Sequence, residues 1–135
     1  MDLYAKMFEK SPMGMVFIDK EGKIIEYNHC FRNLVQYSVE EMKSCYFTDF
    51  MPSEDIDDWI FALTNFFNSG FSSTRITTRF KNDDGTLCWW KLELSLIRDS
   101  DNNYVFVIID DVTDRKANEN KLVQARNSAE KATKI

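Results

Sequence analysis

The chain has a single histidine, three widely spaced cysteines and no C-x-x-C pair, and so lacks the usual parts of a metal centre. Cys30, Cys45 and Cys88 are odd in number and read as reduced thiols of a cytoplasmic protein, not as a disulfide framework. No cluster of lysine and arginine occurs, and the formal net charge is −5. Both features exclude a nucleic-acid surface, because capture of a polyanion depends on concentrated positive charge. The longest unbroken apolar run, Tyr104 to Ile109, falls far short of the roughly 20 residues that span a bilayer, so direct membrane contact is not expected. The opening MDLYAKMFEK contains acids and no long apolar segment, which excludes a secretory signal. A phosphate-binding glycine loop and a nucleophile–base–orienter set are also missing. The acids Glu40, Glu41, Glu54, Asp55, Asp57 and Asp58 fall at expected helix starts, where they offset the helix dipole without any catalytic or metal role. The chain is therefore not expected to be an enzyme, and no metal residues are assigned.

What is present is apolar and aromatic: 44% hydrophobic residues, 14% aromatic residues and eleven phenylalanines. In 135 residues that is enough for one well-filled core with an appendage. Leu3, Tyr4, Met7 and Phe8 recur at helical spacing before Ser11-Pro12 breaks the pattern. GMVFID and KIIEYN flank a Lys20-Glu21-Gly22 turn and read as a hairpin. Asn28 precedes Phe31, Leu34 and Val35 at i, i+3, i+4 and is the expected N-cap of a helix. Ser38 to Glu41 has the capping-box pattern of a second short helix, and Phe47 to Phe50 form one more turn. Ser53 is the expected N-cap of a long helix with Ile56, Ile60, Leu63 and Phe67 as its apolar stripe, stopped by Gly70.

From Ser72 the period becomes two. Ile76, Thr78 and Phe80 alternate with Arg75, Thr77 and Arg79; Trp90, Leu92, Leu94 and Leu96 alternate with Trp89, Lys91, Glu93 and Ser95. Gly85 sits where a turn needs positive φ, and Tyr104 to Asp110 form the last strand. Hairpins at both ends of the chain can bury their apolar faces under the central helices only by sharing one sheet. The expected fold class is α+β, a five-stranded antiparallel sheet with helices packed on one face and flanking helices at both termini.

Several words of the sequence carry a resemblance. FEKSPMGMVFIDKEGKIIEY, the Asn28 before Phe31, YSVEEM, MPSED, DGTLCWWKLELSLIRDSDNN and Asp111-Val112-Thr113, taken in this order, resemble the PAS domain family over about residues 5 to 116. The resemblance implies a flanking helix at 1–12, a PAS domain at 13–113 and a helical linker at 114–135 leading to an output domain. Three departures stand out. Ser44 replaces the usual Gly after the second short helix, Cys30 an expected Ala, and Asn103 the Gly of the last turn, where it is expected to take the left-handed conformation.

Members of the family hold flavin, haem, a small metabolite or nothing. The flavin-binding light-sensing subclass needs a cysteine where this chain has Phe47, with Cys45 two residues too early, and amides where it has Phe80, Trp90 and Ile109. The haem-binding subclass draws a histidine from the long helix, and residues 54–69 contain none; His29 reads as an exposed or locally bonded side chain. No cofactor is therefore expected. The concave face, lined by Phe31, Phe47, Ile56, Ile60, Ile76, Phe80, Trp90, Leu92, Leu94, Val107 and Ile109 with Thr78 as its polar member, reads as hydrophobic core. A small apolar ligand is the alternative.

The tail from Asp114 is rich in helix formers, with Leu122, Ala125, Ala129 and Ala132 forming a thin heptad seam. Thr113 is the expected N-cap, which joins strand and helix without a loop. The resemblance then implies a sensory module of a bacterial signalling protein such as a histidine kinase. Asp111, Val112 and Thr113 would carry the signal, and partners would be a second copy through the flanking helices and the downstream kinase. A cofactor-free scaffold, or a relay to a diguanylate cyclase or transcription regulator, are the alternatives.

Overall fold

A computed structural model describes residues 2–82 and 84–116. Helix α1 (Leu3–Lys10) leads into the hairpin β1 (Gly14–Asp19) and β2 (Ile24–Tyr27). Three short helical pieces follow: α2 (His29–Val35), α3 (Val39–Met42) and a 3-10 turn (Phe47–Phe50). The long helix α4 (Ser53–Ser69) then precedes the meander β3 (Ser73–Lys81), β4 (Leu87–Asp99) and β5 (Asn102–Asp111). The five strands form one sheet in the order β2-β1-β5-β4-β3, with every neighbouring pair antiparallel. The first and last strands meet at its centre, Val16 opposite Val107, so the two hairpins share one apolar face as their alternation requires.

That face carries Val16, Ile18, Phe80, Cys88, Trp90, Leu92, Leu94, Val105, Val107 and Ile109, each at most 6% exposed. The central helices close over it with Phe31, Phe47, Phe50, Trp59, Leu63 and Phe66. Helix α1 stays outside this core. Its Phe8 ring packs at a tilt, 5.7 Å between ring centres, against Phe17, which β1 directs to the opposite face of the sheet, while Leu3, Tyr4 and Met7 are exposed.

Four sequence expectations are corrected. Ser53 is the first helical residue of α4, not its cap; Pro52 occupies that position and no side chain bonds the helix end. The stripe of α4 is turned by one residue. Trp59, Leu63 and Phe66 point inward, Ile56 and Phe67 are half-buried, and Ile60 is 51% exposed. Trp59 has the largest apolar surface on the helix, and burying it outweighs burying Ile60. The left-handed residue of the last turn is Ser100, at φ 53°, because Asp99 pairs with Asn102 across a two-residue turn and leaves Asn103 inside β5. Thr113 is the first residue of the helical turn at 113–116 and not its cap. Ser44, standing where glycine is usual, adopts φ 69°.

Candidate functional site

The expected pocket residues divide into three groups. Phe31, Phe47, Phe80, Trp90, Leu92, Val107 and Ile109 are all at most 1% exposed and fill the concavity between sheet and helices. Phe80 and Trp90 stack at 4.0 Å between ring centres, Phe47 meets Phe80 at 5.2 Å and Trp59 at 5.1 Å, and Phe31 meets both Phe47 and Trp90 at 6.3 Å. Rings in contact at these distances leave the space between sheet and helices to one another. Ile76 and Thr78 lie at the sheet edge instead, lining a cleft of about 360 Å³ between α4 and β3. Ile60 belongs to neither group and faces solvent.

The polar chemistry of the core is concentrated in Asn28, which is fully buried. Its Oδ1 accepts the Phe31 N–H (3.0 Å) as the α2 cap and also the Met15 N–H (2.9 Å); its Nδ2 donates to the carbonyls of Phe8 (2.9 Å) and Met13 (3.0 Å). One amide thus ties α1, β1 and α2 together. His29 is exposed, with its Nε2 3.1 Å from the Asn33 amide. Burial raises the thiol pKa values of Cys30, Cys45 and Cys88, the last to about 11, with Asp111 adding to the shift at Cys88. Raised pKa values argue against any of the three as a reactive sensor thiol. Trp90 Nε1 is buried with no hydrogen-bond partner among the described residues; the thiol beside it is that of Cys88.

The junction after β5 is built on Trp89. Its carbonyl accepts the Val112 N–H (2.9 Å) and its N–H donates to Thr113 Oγ1 (2.9 Å), so β4 holds the chain one and two residues past the last strand. The Thr113 hydroxyl donates to Asp111 Oδ1 (2.5 Å), which also accepts the Thr113 N–H (3.0 Å). Thr113 is itself the first helical residue, so the cap position falls on Val112, whose carbonyl accepts the Lys116 N–H, while the Thr113 hydroxyl is engaged with β4 and Asp111. Val112, 6% exposed, is the sole residue between strand and helix; residues 113–116 are helical, with Lys116 N–H on Val112 O (2.9 Å). The Lys116 ammonium lies 5.5 Å from the Trp89 ring centre, and Arg115 pairs with Asp110 at 2.7 Å. The expected linker seam, Leu122 to Ala132, lies outside the described residues.

Asp111, Val112 and Thr113 were legible as a junction from the end of the apolar run. Trp89, which clasps them from 24 residues away, was not. Arg79, which forks onto Asp55 across the cleft, was also missed; both sit on the solvent-facing parity of their strands and carried no local signal.

A family profile described as PAS domain matches residues 12–114. The chain is similar to a protein named Probable diguanylate cyclase DgcE from Escherichia coli (strain K12), 24% identical over 118 residues that cover 86% of this chain and 11% of that protein. It is also similar to Sensor histidine kinase TmoS from Ectopseudomonas mendocina, 22% identical over 120 residues, 87% of this chain and 12% of that one. The chain therefore spans about a tenth of the length of these relatives. Among solved structures, a sensory box histidine kinase/response regulator from Burkholderia thailandensis superimposes with a TM-score of 0.73 at 17% identity, covering 96% of this chain and 99% of that one.

Proposed function

The chain belongs to the PAS domain family, and we propose that it works as a sensory or regulatory module that passes a signal through its C-terminal junction to an output domain, a histidine kinase being the reading adopted. The observation that carries this is the Trp89 clasp: a helix held through Val112 and Thr113 to two strands of the sheet moves with that sheet. The segment beyond, residues 114–135, is taken as a helical linker, and the mechanism as a shift between two sheet–linker arrangements, which a ligand biases by its differential affinity. Similarity to a sensor histidine kinase supports a kinase output, and similarity to a diguanylate cyclase supports a cyclase as the second reading. The PAS domain itself is a sensory, non-catalytic unit.

The core is read as free of flavin and haem, because the volume between sheet and helices is taken by Phe31, Phe47, Phe80 and Trp90. Leu3, Tyr4 and Met7 give α1 an uncovered apolar side suited to a second copy of the chain in a homodimer. A cytoplasmic setting follows from the reduced-thiol reading; among the described residues no helix is long and apolar enough to cross a membrane.

The test is output activity of the full-length parent with Thr113→Val and, separately, with residues 114–135 removed. Both changes are expected to uncouple output from stimulus while the domain stays folded. Full regulation after either would refute the reading. Visible absorption by a flavin, or a Soret band, in the purified chain would refute the cofactor-free core.

A further inference from the structure

The α4 helix, β3 and β4 are connected at the sheet edge by a line of contacts that ends at the junction. Arg79 on β3 donates from Nε to Asp55 Oδ2 (3.0 Å) and from Nη2 to Asp55 Oδ1 (2.8 Å), a two-point fork that fixes both position and angle. The side chains are 30% and 17% exposed, so the pair is less screened than Arg75–Glu93 between β3 and β4, at 70% and 47%. Arg79 is the direct cross-strand partner of Trp89, and both line the 360 Å³ cleft with Trp59 and Ala62 of α4. The Trp89 backbone in turn holds Val112 and Thr113, and its ring lies under Lys116.

The α4 end of this line offers two positions. Glu54 Oε1 is 3.7 Å from the same Arg79 nitrogen that bonds Asp55, one residue earlier and therefore about 100° around the helix. Side-chain movement of Arg79 and Glu54 at this first turn exchanges one carboxylate for the other while α4 stays in place. The buried Trp59, Leu63 and Phe66 fix the helix itself, whereas Asp55 and Arg79 face the open cleft.

We propose that Asp55, Arg79 and Trp89 form a relay in which the carboxylate that Arg79 holds on the first turn of α4, Asp55 or Glu54, tightens or slackens the clasp on Val112 and Thr113. Arg79 and Trp89 are its positioning residues. The inference rests on the reading that this junction is the route to output, and it adds where the signal enters: at the cleft between α4 and β3, not in the aromatic interior. Drawing Arg79 from Asp55 to Glu54 acts on the junction without entering the core.

The relay is tested on the intact chain by nuclear magnetic resonance, reading solvent exchange of the Arg79 Nε–H at one end and of the Val112 N–H at the other. Because coupling between two sites is reciprocal, Arg79→Gln should speed Val112 exchange and Thr113→Val should speed Arg79 Nε–H exchange, each by about threefold or more. Arg75→Gln, which breaks the more exposed pair on the same strand, should change neither. The Val107 amide, deep in the sheet, reports that each variant is folded. If Arg79→Gln loses Val107 protection, Arg79→Lys, which keeps the charge and loses the fork, serves the same comparison. The proposal is overturned if each substitution is felt only at its own end while Val107 remains protected, or if Arg75→Gln has the same effect. No output domain enters this measurement, so its failure leaves the junction's role in output standing, and an unregulated parent would leave the relay standing.

Discussion

At the scale of single residues, Asn28 bears the largest concentrated polar responsibility. Replacing it with alanine strands two carbonyls and two N–H groups in the core, at a cost of roughly 3 kcal/mol or more. Asn28→Ala is expected to lower the free energy of chemical unfolding by that amount. Asn28→Asp should recover little of it, because a carboxylate would face the carbonyls of Phe8 and Met13. The cap was legible from the local Asn28-x-x-Phe31 pattern. The bonds to Phe8 and Met13 span 20 and 15 residues and leave no periodic trace in the sequence. Cys88 gives a second prediction. Its thiol pKa is raised to about 11, so the folded chain holds this proton where the unfolded chain, near 9.0, has released it. Stability from this group is complete below pH 9 and is lost as pH rises toward 11, by on the order of 2 kcal/mol. Unfolding curves of Cys88→Ala and the parent chain, measured across that window, should converge as pH rises; a constant gap would contradict the assignment.

At the scale of elements, alternation and helical spacing expose the division into hairpin, helices and meander, because each element is patterned to bury one face. What they do not fix is which of two adjacent apolar residues turns inward. On α4 the choice falls to Trp59 over Ile60, decided by packing against Phe47, a residue from another element. Thr113 is a similar case: a threonine before a helical stretch has the local signature of a cap, and the tertiary bond from Trp89 overrides it. The interlocked rings make a direct prediction. Phe80→Ala removes a ring that touches both Phe47 and Trp90 and should cost about 3–5 kcal/mol. It should also open an apolar void that takes up benzene, raising the melting temperature of the variant but not of the parent chain. Equal stabilisation of both by benzene would mean that the parent core already contains the space.

At the scale of the whole molecule, the sheet has two consequences for the proposed signalling. Its centre pairs β1 with β5, so whatever disturbs α1 through Phe8 and Phe17 reaches the last strand directly; Phe17 stacks on Phe106 at 4.8 Å. Its β4 strand reaches past the end of β5 and takes hold of the exit through Trp89. A flanking helix at one terminus and a helical exit at the other are thus connected by a rigid sheet whose inner face is sealed by its own aromatics. The central claim is that the exit has no slack, and amide hydrogen exchange in the unmodified chain tests it most directly. The Val112 N–H, bonded to the Trp89 carbonyl, should exchange as slowly as Val107 in mid-strand, opening only with the whole sheet. Exchange at the rate of the exposed turn at Ser100 and Asp101 would show a joint that opens freely and would contradict the account.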